Sequence, residues 1–159
     1  MTAANIAALH AVDGDGRPEP VAFEVSEYRS VLHWPVDGDT RGGAYLELGG
    51  DIGGLRMRAG LGAEVQWWLR LRMLAGPVLA TPGKRTEWTF LTQPMTDEQR
   101  RRALPPGVEP VTARVLLPTQ DTDRAVTHWA TAPDLSHPTL PLFSSVVGAV
   151  RSVLYGHRF

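Results

Sequence analysis

Apolar residues at Leu61, Val65, Trp68 and Leu69, continued by Leu71 and Leu74, recur at the three- and four-residue spacing that lines one face of a helix. They predict a helix over 61–74, stopped by Gly76-Pro77. On either side the pattern shortens to strand length. Val21–Val25 reads as a strand and Ser26–Leu32 as a short helix, while Ala44–Leu48 and Leu55–Arg58 read as neighbouring strands that could pair as a hairpin. Val78–Ala80 and Trp88–Leu91 flank Thr81-Pro82-Gly83-Lys84-Arg85, which predicts strand, tight loop, strand. Thr96-Asp97-Glu98-Gln99 has the form of a capping box opening a helix that stops at Pro105-Pro106-Gly107. Val111–Leu117 and Ala125–Ala130 are two further strands joined by a polar loop, and the Pro-spaced segment Pro133–Pro141 leads into a last helix, Leu142–Leu154. Strands interleaved with helices predict an α+β fold: one domain in which a mixed sheet carries packed helices. Within it, residues 1–43 form an N-terminal helix, strand and turn segment, and residues 44–159 form the core.

The 159 residues suit one domain, and 43% hydrophobic residues against 21% charged describe a globular chain. The absence of Cys removes disulfides, thiolate zinc sites and Cys nucleophiles. No apolar stretch approaches the roughly 18 residues of a membrane span, and the start, MTAANIAALH, lacks a basic n-region, so no membrane association and a cytoplasmic location are expected. A net charge of −1 excludes nucleic-acid binding by a broad positive field. Charge is nevertheless uneven: residues 1–60 carry a balance of −4, and residues 61–159 a balance of +3.

Most candidate chemistry has a plain structural alternative. The pairs Asp13/Asp15, Asp37/Asp39 and Asp121/Asp123 have the spacing of two metal-binding carboxylates on one strand face, but all sit among turn residues. No two of the five His have zinc-ligand spacing. Asp134, His137 and Ser144 or Ser145 contain the residue types of a hydrolase without the Gly-x-Ser-x-Gly elbow that presents the nucleophile. Arg100-Arg101-Arg102 either complements the dipole at the end of a short helix or contacts a phosphate. Trp67 and Trp68 are adjacent on the 61–74 helix, so one belongs to the core and the other to its edge or to an interface.

Read in order, Gly54-Leu55-Arg56-Met57-Arg58-Ala59-Gly60, Gly76-Pro77-Val78-Leu79-Ala80-Thr81-Pro82-Gly83, Trp88-Thr89-Phe90-Leu91, Val115-Leu116-Leu117-Pro118-Thr119 and His128-Trp129-Ala130-Thr131-Ala132-Pro133 follow one another in a familiar sequence. Over roughly residues 44–154 the chain resembles the C-terminal part of the actinobacterial bifunctional DNA primase/polymerase N-terminal domain, a branch of the archaeo-eukaryotic primase fold. The resemblance implies a primase–polymerase-like fold with eroded catalytic motifs. The family's two acidic metal ligands fall at Arg56 and Arg58, its phosphate-contacting His falls at Glu87, and its third acid falls near Glu109. Arg cannot ligate Mg²⁺, so the resemblance implies no metal-dependent nucleotidyl transfer, no catalytic residue and no cofactor.

The expectation that follows is a non-catalytic binding or regulatory module. Arg56, Arg58, Lys84, Arg85 and Glu87 would gather at the former active-site cleft and take an anionic ligand, a nucleotide or a nucleic acid. The same four cations could instead be neutralised by Glu87 and Glu109. Two other classes stay open: a small non-metal enzyme with Glu87 as acid or base, and an interaction module that forms a homodimer or recruits a protein through Trp67 or Trp68.

Overall fold

A computed structural model of the chain describes residues 21–156. In chain order its elements are α1 (Val25–Ser30), β1 (Val36–Gly38), β2 (Ala44–Glu47), β3 (Gly53–Arg58), α2 (Ala59–Leu71) and β4 (Val78–Thr81). There follow β5 (Glu87–Thr92), α3 (Asp97–Arg101), β6 (Glu109–Pro110), β7 (Arg114–Leu117), β8 (His128–Thr131) and α4 (Phe143–Tyr155). The turn at Asp13–Pro18, the Asp13/Asp15 pair, His10 and His157 lie outside the described residues.

The fold is α+β, in a single domain. Its strands form two sheets, a three-stranded one in the order β1-β2-β7 and a five-stranded one in the order β6-β3-β5-β4-β8. Every pairing is antiparallel, so the expected mixed sheet is replaced by two antiparallel ones. Side-chain alternation along the five-stranded sheet builds two cores. Leu55, Met57, Val78 and Phe90 point to one face and pack with Val65 and Leu69 of α2 and Val146 and Val150 of α4. Leu79 and Leu91, one residue along, point to the other face and join Ala44, Leu46 and Leu117 of the small sheet. The result is three layers: two helices, five strands, three strands.

Ala44–Leu48 and Leu55–Arg58 are both strands, but they do not form a hairpin. The Gly49–Ile52 turn, closed by a 2.9 Å bond from the Gly49 N–H to the Ile52 carbonyl, carries the chain out of the small sheet and into the large one. Gly49 needs its φ of +99° there, and a Cβ would lie 3.1 Å from Thr112 Cα. The return crossing runs alongside. Val111 bonds to Gly54 and Ala113 to Leu48, so the predicted Val111–Leu117 strand divides into a crossing segment and β7.

Three other elements shift for local reasons. Val21–Val25 is not a strand, because Glu27 Oε1 accepts the Glu24 N–H and draws Val25 into the first turn of α1. The Ala125–Ala130 strand begins only at His128, because Asp123 accepts the Ala125 and Val126 N–H groups in a turn. The predicted helix over 61–74 starts two residues early and ends at Leu71, where Met73 adopts a φ of +58° and Leu74 bonds back to Leu69. The capping box forms as the sequence predicts: Thr96 Oγ1 accepts the Gln99 N–H at 3.2 Å and Gln99 Oε1 accepts the Thr96 N–H at 2.9 Å. Among the described residues no helix is long and apolar enough to cross a membrane.

Candidate anion-binding site

The alternation that sends Leu55 and Met57 into the helix layer leaves Arg56 and Arg58 on the opposite face of β3, half-buried and exposed respectively. In register, β5 places Thr89 opposite Arg56 and Glu87 opposite Arg58, and β6 places Glu109 opposite Arg56 from the other side. Arg56 bridges both acids, with Nε 3.3 Å from Glu87 and a terminal nitrogen 3.3 Å from Glu109. The three side chains are 42%, 48% and 70% exposed, so water screens them and the trio is worth little. Arg56→Ala is therefore expected to lower the unfolding free energy by about 1 kcal/mol or less, as read from a urea titration.

Arg58, Lys84 and Arg85 belong to the same end of the β3–β5 pairing. Arg58 closes β3 and is the N-cap of α2, and the next residue, Ala59, donates its N–H to the Thr86 carbonyl at 3.0 Å. This bond ties the start of α2 to the β4–β5 turn, which carries Lys84 and Arg85; both are exposed, as is Arg58. Of the five residues singled out in the sequence, Arg56 and Glu87 are in side-chain contact, while Arg58, Lys84 and Arg85 share this end of the sheet through the backbone. Arg56 is engaged with its two glutamates, and the cluster as a whole carries four cations against two anions.

The remaining sequence candidates separate. Asp39 and Asp123 work as turn residues: Asp39 Oδ1 accepts the Arg41 and Gly43 N–H groups, and these bonds hold its carboxyl below the usual carboxylate range. Asp134 Oδ1 accepts from the Ser136 hydroxyl and N–H, which lower its pKa, and its other oxygen lies 3.6 Å from His137 Nδ1. It is Ser136, not Ser144 or Ser145, that this carboxylate holds, and the pair is a solvent-exposed turn. Among the described residues no group of three or more His, Asp or Glu is placed to hold a metal ion. Arg102 pairs with Glu98 at 2.7 Å, while Arg100 reaches across to the Gly49 carbonyl at 3.0 Å. Trp68 is half-buried against the helix core under the Arg72 guanidinium, 3.5 Å from the ring centroid, and Trp67 is 63% exposed.

Two concavities lie away from the cation cluster. One is an open groove of about 700 Å³ beside Trp34 and Leu140, and the other is a pocket of about 580 Å³ between α3 and the start of α4. Neither is visible in the sequence; the apolar residues Met95, Leu104, Val108 and Phe143 around the second one, each isolated in its segment, carry no periodic signal. No protein-family model matches the chain, no curated protein is significantly similar to it, and no solved structure matches it.

Proposed function

We propose that the protein is a non-catalytic binding module that takes the phosphates of a nucleotide or nucleic acid at the end of the five-stranded sheet. The observation that carries this reading is the Ala59–Thr86 backbone bond, which has the exposed residues Arg58, Lys84 and Arg85 within two positions of its ends, next to an Arg56 that is already engaged with two glutamates. Cations on two rigidly joined elements can approach successive phosphates with little reorganisation, and Arg presents a planar fork to each. The resemblance to primase–polymerase domains supports the same face, since it assigns the family's catalytic acids to the positions of Arg56 and Arg58. With Arg there, the surface favours an anion without a metal. A second reading, a protein partner or a second copy on the outer face of α2, is favoured by Trp67 and Leu71, which lie one turn apart and are each 63% exposed.

The test is fluorescence anisotropy with a fluorescein-labelled DNA single strand of about 20 nucleotides at low salt. The native protein is expected to bind it, and R58A/K84A/R85A to lose about tenfold or more in affinity without a change in unfolding midpoint. Failure of the native protein to bind, or equal binding by the variant, would reject the reading.

A further inference from the structure

We infer that the pocket between α3 and the start of α4 is a binding site for a small amphipathic carboxylate, an apolar chain or ring that carries one acid group. This site is separate from the phosphate surface and does not depend on it.

The pocket is built by three local devices. The Thr96–Gln99 capping box fixes the direction of α3 and so sets Arg100 and Arg102 at its mouth. The Pro105-Pro106-Gly107 turn, with Gly107 at a φ of +82° and the Val108 N–H bonded to the Pro105 carbonyl, folds the chain back so that Leu104 and Val108 form a wall. Met95 and the first residue of α4, Phe143, complete it. Met95 and Leu104 are only partly buried although they pack on the helix core. Apolar surface thus remains open to solvent inside a concave site, and an apolar ligand would cover it. At about 580 Å³ the pocket is in the range that takes small ligands.

Charge at the mouth selects the acid group. Arg100 spends one terminal nitrogen on the carbonyl of Gly49, also a lining residue, which holds the guanidinium at the pocket and leaves other N–H donors for a ligand. Arg102 is held by Glu98, so it contributes no surplus charge. Glu109, the acid next to the pocket residue Pro110, turns its carboxylate to Arg56 on the far face of the sheet. Among the described residues, Arg100 is therefore the cation at this mouth without an acidic partner. One partly engaged guanidinium matches one carboxylate; a phosphate dianion would call for a second cation that Glu98 has taken.

The test uses octanoate below its micelle concentration, with octan-1-ol and acetate as controls, followed through the backbone amide signals of the ¹⁵N-labelled protein. Octanoate is expected to shift Leu104, Val108 and Phe143 saturably, octanol to shift the same residues more weakly, and acetate to leave them in place. Arg100→Gln should weaken octanoate about tenfold and leave octanol unchanged, which also reports that the pocket still stands. The inference is overturned if octanoate does not saturate, if its shifts gather at the Trp34–Leu140 groove instead, or if Arg100→Gln either leaves octanoate binding intact or abolishes octanol binding as well.

Discussion

Val65→Asp is expected to lower the unfolding free energy by about 3 kcal/mol or more. Val65 is fully buried on the inner face of α2, where it packs in the core that joins α2 and α4 to Leu55 and Phe90 of the large sheet. A carboxylate there would have no cationic partner in that core. It must be desolvated as an anion or protonated, and either route costs folding energy, while the valine's own packing is lost. Urea unfolding against Ala63→Asp, at an exposed position of the same helix, separates burial from helix propensity. A midpoint shift no larger than that of the control would contradict the helix-on-sheet packing.

The second large effect belongs to Tyr28, which is fully buried at the centre of an aromatic group. Its ring stacks on Trp34 at 5.9 Å, meets Phe23 edge-on at 5.5 Å and lies 6.4 Å from Trp129. Its hydroxyl donates to the Pro118 carbonyl and accepts from Trp129 Nε1 at 3.1 Å. Through this one side chain α1 is joined to β8 and to the end of β7. Tyr28→Ala is expected to cost about 3–5 kcal/mol from the cavity it opens, and Tyr28→Phe about 1–3 kcal/mol from the two polar groups left unpaired. Burial, the largest influence, also pushes the phenol well above its ordinary value of 10.0. The raised pKa means that the neutral form's contribution is whole below about pH 10 and is lost as pH rises through the folded value, because the unfolded chain ionises first. Alkaline titration of stability should show that loss in the native protein and less of it in Tyr28→Phe. Equal stability of the alanine variant would mean that residues 21–43 are not part of the core.

How much of this was legible in the sequence depends on the range of the signal. The α2 helix, the β4–β5 hairpin around Lys84 and Arg85, and the Thr96 capping box are written in spacings of two to four residues, and the structure forms them with small changes at their ends. The β2–β3 relationship was not legible. Alternation tells which side chains share a face, but Ala44–Leu48 and Leu55–Arg58 alternate alike whether they pair with each other or enter different sheets, and the decision rests on the Gly49 turn and its contact with Thr112. The candidate site was legible in part for the same reason. Arg56 and Arg58 share a face by strand period, and the hairpin carries Lys84 and Arg85 to the end of the strand where Arg58 lies. That Arg56 is the cation held by Glu87 and Glu109 depends on the register of β3 with β5 and β6. The Met95–Phe143 pocket was illegible because its walls come from segments far apart in the chain.

The most direct test of the central claim, that Arg58, Lys84 and Arg85 form a phosphate-binding surface, is the salt dependence of single-strand binding between about 50 and 200 mM KCl. Three cation–phosphate contacts at about 0.7 released counterions each predict a slope of log affinity against log salt of about −2, and R58A/K84A/R85A should bring that slope close to zero. A flat salt dependence in the native protein, or an unchanged slope in the variant, would contradict the account.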